Sequence, residues 1–388
     1  MSQTKKIAIL ADFPLHRLPE NHGFLPPRGH WATWLPQIAE IWSEQQPLEA
    51  HWITLSTEVD KEKIIQEWNQ KFHVLPSWSR GRASTGFLAD RRKIQNKLRQ
   101  IKPDLVHAWG NEDIWGWAMI ESGLPNIFSV QGLLGVYAKL GNRTLRSRLM
   151  ALIEAVVLRK AQVITTESPW ARKQIEQQTG RHDVRLVEYG VPREFFEAKS
   201  CPDANKPFAL MVGTADHRKG IDFAVQLFSR PELRHYQLKI VGGVTSFGEV
   251  WKRNSPSNVE WVGRRTQAEI IQLMSKASCL VLPTRGDTCP NVVKEARVIG
   301  LPIVASPHGG HVQYVKSEIN GFVASLDAPE AWSRAIRYLI DNPAQAEAMG
   351  LADRLAHREL LKPERTATSF MALYRERISE YSARKGQR

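Results

Sequence analysis

Along this chain, short apolar runs alternate with longer stretches whose apolar residues recur every three to four positions. In the first half "KIAILADF", "HWITLS", "LVHAWG", "NIFSVQG" and "QVITTES" read as buried strands. In the second half "FALMVG", "QLKIVGG", "NVEWVG", "CLVLPT" and "PIVASP" repeat the scheme. Between the strands, "WATWLPQIAEIWSEQ", "LRSRLMALIEAVVLRKA", "GIDFAVQLFSRPE" and "QAEIIQLMSKA" carry the helical period. Strand and helix in alternation predict an α/β fold with parallel sheets. The rhythm breaks at "YGVPREFFEAKSCPDANKPF" (189–208), a polar stretch with three prolines that reads as a linker. Two doubly wound domains are therefore expected, over 1–198 and 206–362, with a ligand cleft between them at the carboxyl ends of their strands. A terminal helix over 363–388 is expected to pack back toward the first domain.

The length of 388 residues fits this division, because single cores seldom grow beyond about 300 residues. No window holds the roughly 18 uninterrupted apolar residues of a membrane span, and "MSQTKKIAILADF" reads as a first strand rather than a signal peptide. Cys201, Cys279 and Cys289 lack metal-ligand spacing, which predicts a reduced, cytoplasmic compartment. His16, His22 and His30 share a segment, but no cysteine or acid completes a metal-binding spacing with them, so no metal is expected.

The net charge of +13 adds a partner question. One basic cluster runs from Arg80 and Arg82 through Arg91, Arg92, Lys93 and Lys97 to Lys102, with Asp90 as its only acid. A second comprises Lys139, Arg143, Arg146, Arg148, Arg159 and Lys160, with only Glu154. Such clusters suit an anionic substrate or an anionic membrane surface, while nucleic acid is disfavoured because no binding module accompanies them.

The chemistry concentrates in "PTRGDTCPNVVKEARVIGLPIVASPHGG" (283–310). "CLVLPT" is a strand, "RGDTCP" a loop and "NVVKEARVIG" a helix that starts at Asn291 and closes at Gly300. Free amides and the dipole at that start favour a phosphate. Glu295 lies one turn inside on the same face, where a carboxylate accepts hydrogen bonds from ribose hydroxyls. Asp287, in the loop, is within reach of a second sugar. The bland readings are a helix carboxylate paired with Lys294 or Arg297, and a turn former after Gly286.

"RGDTCPNVVKEARVIGLPIVASPHGG" resembles the signature of GT-B-fold glycosyltransferases, specifically the large retaining family 4. That signature has an acid, seven residues, a Glu, then G-x-P-V-V-A-S/T and Gly-Gly. "LMVGTADHRKGIDFAVQLF" resembles the family's G-R-x(4)-K-G-x-D block, and "VEWVGRRTQAEIIQLMSKASCLVLPT", "AQVITTES" and "VEYGVPREFF" match others in family order. "PRGHWATWLPQIAE" stands where the family has its Gly-rich loop. The resemblance implies two Rossmann-like domains facing across a cleft. It implies a retaining, metal-independent transfer from a UDP- or GDP-sugar to a glycan or lipid-linked acceptor, in cell-surface polysaccharide or glycolipid synthesis. The charge of the basic clusters, separately, suits an anionic glycan or a lipid-linked acceptor at the inner face of a membrane. A UDP-sugar epimerase of the same fold and a catalytically lapsed sugar-nucleotide-binding subunit are the alternatives.

By position, the resemblance implies that Glu295 holds the donor ribose and Asp287 the donor sugar. Pro290, Asn291 and Val292 would offer amides, and Lys219 would neutralise the diphosphate. Gly213 and Gly29 would allow close backbone approach, and Gly263 and Arg264 would lie near the base. His107 occupies the place of one of two family histidines. Three positions depart from the pattern: Asp287 replaces a Glu, Thr214 an Arg, and Gln131 the active-site His. Arg218, beside Lys219, is the candidate to replace the cation missing at Thr214. Gln131 still offers a hydrogen bond to a donor hydroxyl, though not a proton at neutral pH.

Overall fold

The computed structural model describes residues 5–20, 22–25, 34–45, 49–78, 81–111, 113–141 and 144–386. Gly29, His30, Trp31, Arg80 and Arg143 lie outside the described residues. The chain forms two compact units. The first takes Met1–Ala138, Arg143–Gly190 and Pro363–Arg388, and the second takes Lys139–Asn142 and Val191–Lys362.

The first unit is built on strands β1 (Lys6–Ala11), β2 (Glu49–Ser56), β3 (Lys63–Glu67), β4 (Gln70–Pro76), β5 (Leu105–Trp109), β6 (Asn126–Val130), β7 (Val163–Thr166) and β8 (Arg185–Leu186). They form one sheet in the order β3-β4-β2-β1-β5-β6-β7-β8. Its helices are α1 (Leu35–Gln45), α2 (Leu88–Ile101), α3 (Trp115–Glu121), α4 (Leu134–Lys139), α5 (Leu145–Lys160) and α6 (Pro169–Thr179). Strand alternation divides the core in two. Ile7 and Ile9 of β1 pack with Trp34, Trp42 and Phe370, while Ala8 and Leu10 pack with residues of α2, α3 and α5. The C-terminal helix, Pro363–Gly386, covers the first of these faces, where Trp42 Nε1 donates to the Ala367 carbonyl at 3.1 Å.

The sequence reading misses the hairpin of β3 and β4. These strands are antiparallel, while every other pair in the sheet is parallel. The turn between them is the two-residue Trp68-Asn69, with both φ positive at 48° and 54°. Such turns normally carry Asn-Gly or Asp-Gly, and a tryptophan there hides the signal.

The second unit holds β9 (Phe208–Val212), β10 (Gln237–Val241), β11 (Val259–Gly263), β12 (Cys279–Leu282), β13 (Ile303–Ala305) and β14 (Gly321–Val323), paired in parallel in the order β11-β10-β9-β12-β13-β14. Helices α7 (Glu194–Glu197), α8 (Ile221–Ser229), α9 (Ser246–Arg253), α10 (Gln267–Lys276), α11 (Asn291–Ile299), α12 (Pro329–Asp341), α13 (Pro343–Leu351) and α14 (Arg354–Leu360) complete it. The chain runs outward from β9 through β10 to β11, then returns to the other side of β9 with β12. That reversal is a topological switch point, and the crevice outside the carboxyl ends of β9 and β12 is where open α/β sheets take ligands.

Candidate functional site: a cation-rich loop pair at the switch point of the second unit

Two loops leave the switch point, residues 213–220 after β9 and 283–290 after β12. The chain fastens them to each other. Arg285 forks onto Asp222, at 2.8 and 2.7 Å, and also donates to the His217 carbonyl at 2.6 Å. The Arg218 carbonyl accepts from the Arg285 amide at 2.8 Å and from the Thr284 hydroxyl at 3.0 Å. Gly220 closes the first loop with φ 75°, and a Cβ there would sit 1.9 Å from the Pro283 carbonyl oxygen. Only glycine fits so close an approach, in a conformation that L side chains rarely adopt.

This fastening aims three of the expected residues at one point. Arg218 Nη1 and Lys219 Nζ both donate to Asp287 Oδ2, at 2.7 and 2.6 Å. Asp287 is buried, with 6% of its surface exposed. Burial alone would raise its carboxyl, but Lys219 and then Arg218 overcome that and hold it well below the usual carboxylate range. The Asp287 carbonyl also accepts from the Gly310 amide at 2.9 Å, so the Gly-Gly turn closes over the acid's loop.

Asn291 opens α11 behind Pro290, and no side chain caps the helix start. Gly300 closes it with φ 93°, its amide bonded to the Ala296 carbonyl. Glu295 is half-buried and has no hydrogen-bond partner among the described residues. Burial pushes its carboxyl up to about 7, with Lys294 opposing only in part. Gly213 follows β9 with φ 145°, and an added Cβ there would meet nothing closer than Lys219 Cε at 3.7 Å. Protein packing therefore leaves room beside Gly213, the condition for close approach of a ligand. Gly263 and Arg264 end β11 on the same edge of the sheet. The Arg264 guanidinium lies over the end of β10, where a Cβ on Gly243 would come within 2.7 Å of its Nη2.

The sequence reading misses the clamp of Arg285 on Asp222 and the place of His311. Asp222 has a signal, as the last residue of the K-G-x-D block. Arg285 has none, because it reads as one more basic residue. His311 is fully buried beside the Gly-Gly turn, donates Nε2 to the Ser306 carbonyl at 2.6 Å, and is lowered by burial.

In the first unit, His107 proves to be a core residue and not one that meets a ligand. It is fully buried, stacked on Trp109 at 4.6 Å, with Nδ1 paired to the Tyr374 hydroxyl and Nε2 to the Ser129 hydroxyl, both at 2.7 Å. Burial lowers it to about 3, so the ring is neutral at pH 7, with one nitrogen donating and the other accepting. Gln131 follows β6 and is half-buried. The segment after it is held by buried Glu154, which accepts from the Leu134 and Gly135 amides at 2.6 and 3.0 Å.

Arg82, Arg91 and Lys97 of the first basic cluster are paired with acids, most of them distant in sequence. Arg82 bonds Asp90 and forks onto Asp113, Arg91 bonds Glu121 and lies over Trp117, and Lys97 meets Glu62 at 2.6 Å. His22 also gains an acid that the sequence spacing hides, pairing with Glu67 at 3.1 Å beside Glu20.

Two family models match the chain in succession: Glycosyltransferase Family 4 over residues 43–195 and Glycosyl transferases group 1 over residues 192–355. An uncharacterised glycosyltransferase of Methanocaldococcus jannaschii is 27% identical over 37% of this chain and 41% of its own length. The matches span between 25% and 64% of the first curated relatives. Sucrose-phosphate synthase of Thermosynechococcus elongatus superposes with a TM-score of 0.81 at 18% identity, covering 97% of this chain and 100% of that one. Anabaena HepE, solved in complex with UDP-glucose, gives 0.71 at 14% identity, covering 96% and 99%. At these identities the structural likeness concerns the fold. With two family models met in order and GT-B neighbours over nearly its whole length, the chain has the GT-B fold and belongs to the group 1, family 4 glycosyltransferases.

Proposed function

We propose that the chain transfers a sugar from a nucleoside diphosphate-sugar to a glycan or lipid-linked acceptor, with retention at the anomeric carbon and without a metal. The observation that carries this reading is the convergence of Lys219 and Arg218 on Asp287, beside the uncapped start of α11 and at the switch point of its sheet. A leaving diphosphate gathers negative charge as the glycosidic bond breaks, and fixed cations aimed at it supply the stabilisation the step needs. In this reading Lys219 and Arg218 take that charge, in place of the metal other transferases use. The amides of Pro290 to Val292, excluding the proline nitrogen, bind phosphate or sugar oxygens, Glu295 accepts from the ribose, and Asp287 lies at the donor sugar. Gly213 and Thr214 border the diphosphate, and Gly263 and Arg264 the base. Gln131 hydrogen-bonds a donor hydroxyl.

A UDP- or GDP-sugar is the expected donor, and HepE's complex with UDP-glucose supports the first. The pathway is cell-surface polysaccharide or glycolipid synthesis, at the cytoplasmic face of a membrane. A thermal-shift panel of nucleoside diphosphates and their sugars tests the donor site, and no stabilisation by any of them would overturn it. Product analysis separates the alternatives: an epimerase converts a UDP-sugar with no acceptor, and a lapsed subunit binds donors without turning them over.

A further inference from the structure

At the edge of the first sheet the fold gathers a set of metal-ligating groups that the donor chemistry does not use. Glu20, His22 and Glu67 offer two carboxylates and an imidazole, with donor atoms all within 4.8 Å of one another. His22 Nε2 and Glu67 Oε1 are 3.1 Å apart, and these two side chains are only 18% and 13% exposed. Glu20 is exposed. Donor atoms that share one zinc ion at about 2.0–2.2 Å lie roughly 3.3–4.2 Å from each other. The His22–Glu67 pair is near that spacing, and a shift of about 1 Å in the exposed Glu20 side chain completes it.

The pair is placed by the fold and not by its own bond. Glu67 ends β3 on the face of Ile65, which is buried in the core, and not on the outer face of Ile64 and Gln66. The Trp68-Asn69 turn follows it directly. The stretch that carries His22 is held independently: Lys63 donates to the His22 carbonyl at 2.9 Å, Phe24 is buried in the same core, and the Leu25 amide donates to Glu58 at 3.2 Å. No lysine or arginine among the described residues pairs with Glu20 or Glu67, in a chain of net charge +13. An inward carboxylate on an edge strand guards against edge-to-edge pairing, but that role needs neither a histidine nor a second acid at the same point.

We propose that Glu20, His22 and Glu67 bind a zinc ion, which ties the stretch after Leu15–Arg17 to the tip of the β3–β4 hairpin. One imidazole nitrogen with two carboxylates suits zinc and its first-row neighbours, whereas magnesium and calcium take oxygen ligands. Zinc takes the place of the proton between His22 and Glu67, which leaves to solvent, and water fills the remaining coordination. The ion is structural. Its ligands all belong to the first unit, and the transfer proposed above draws on the cations of the second. The proposal does not depend on that reading, because neither the ion nor its assay involves a nucleotide.

Titration calorimetry of the full chain, stripped with a chelator and then given zinc chloride, tests this. A single strong zinc site is expected, which magnesium chloride does not fill. Zinc at about a hundredfold over its dissociation constant is expected to raise the melting of the first unit by about 5–10 °C. His22→Gln, Glu67→Gln and Glu20→Gln are each expected to weaken zinc binding at least about tenfold and to reduce that rise. Glu20 is exposed, so its variant keeps the test open should either of the others fail to fold. Cys201→Ser removes the exposed thiol and is expected to bind zinc like the parent chain. Failure to take up zinc, or uptake by the three variants equal to the parent's, would overturn the proposal and leave Glu67 as a guard of the sheet edge. Loss of the site in Cys201→Ser would overturn it too, by assigning the ion to the thiol.

Discussion

Glu295→Gln is the substitution with the most to say about the site, because the structure predicts opposite effects on stability and on binding. Burial raises the Glu295 carboxyl from its ordinary 4.5 to about 7. The unfolded chain releases that proton near 4.5, whereas the folded one keeps it to about 7, so the folded state binds more protons in between. Stability is accordingly undiminished below 4.5, falls as the pH rises through that window, and carries the full penalty above about 7. At about 1.4 kcal/mol per pH unit the interval amounts to about 3 kcal/mol, and partial solvent contact screens this to about 2 kcal/mol. Glutamine keeps the shape and removes the charge. At pH 8 it is expected to raise the melting temperature of the second unit by about 4–8 °C, and at pH 5 to leave it unchanged. Calorimetry at the two pH values measures this. If the carboxylate receives ribose hydroxyls, titration calorimetry will show the same variant binding nucleoside diphosphate about ten- to a hundredfold more weakly at pH 8. The parent chain's affinity will also rise between pH 6 and 8. A glutamine variant that is less stable at pH 8, or that binds like the parent, would refute the reasoning.

Asp287→Asn removes the counter-charge of two partly buried cations and is expected to destabilise the second unit by about 3–5 kcal/mol, measured by chemical denaturation at pH 7. The freed Lys219 and Arg218 are then expected to hold a nucleoside diphosphate at least as tightly as before, and a loss of that affinity would count against the pairing as drawn. His107→Phe leaves the Tyr374 hydroxyl without this partner and Ser129 with Thr165 in its place, so about 1–3 kcal/mol of stability in the first unit should go while donor affinity stays. Burial lowers His107 to about 3 and His73 to about 4, so their contribution is complete above their unfolded value near 6.5 and is lost as the pH falls from there toward those values. Melting should therefore drop between pH 7 and 5, and less steeply in the His107→Phe variant. Gly220→Ala, at φ 75° and against the Pro283 carbonyl, is expected to cost at least about 2 kcal/mol, with melting and donor affinity falling together.

The parallel sheets were legible because buried strands of four to six residues carry almost no polar interruption, as in "KIAILA" and "CLVL". The hairpin over Lys63–Pro76 was not, since β3 buries only Ile65 fully and its turn lacks glycine. The start of α11 and its close at Gly300 followed from local chemistry. Partners distant in sequence did not: Asp113 and Glu121 reach Arg82 and Arg91 only through the fold, so part of a basic cluster in sequence became ion pairs in space. His107 misled for the same reason. A strand-end histidine looks alike whether the next layer is solvent or, as here, the tyrosine of a helix 267 residues away.

Arg218 ties two of the three departures from the family pattern together. Position 214 lacks the cation that the pattern puts there, and position 287 has the shorter acid. Arg218 and Lys219 stand side by side in the loop, and both reach one oxygen of Asp287 within 2.7 Å. The loop thus retains two cations, one of them moved by four residues toward α8. The acid that receives both lies in a loop pinned at its carbonyl by Gly310 and at its neighbour Arg285 by Asp222. A glutamate there would be one methylene longer against the same fixed backbone, and would have to fold back to make both bonds. Thr214, Arg218 and Asp287 therefore read as one exchange that conserves the charge of the pocket. Gln131 lies in the other unit, in a segment held by Glu154, and stands apart from that exchange. Turnover measured on Gln131→His against the parent bears on chemistry alone, because the cations that receive the diphosphate are unchanged by it.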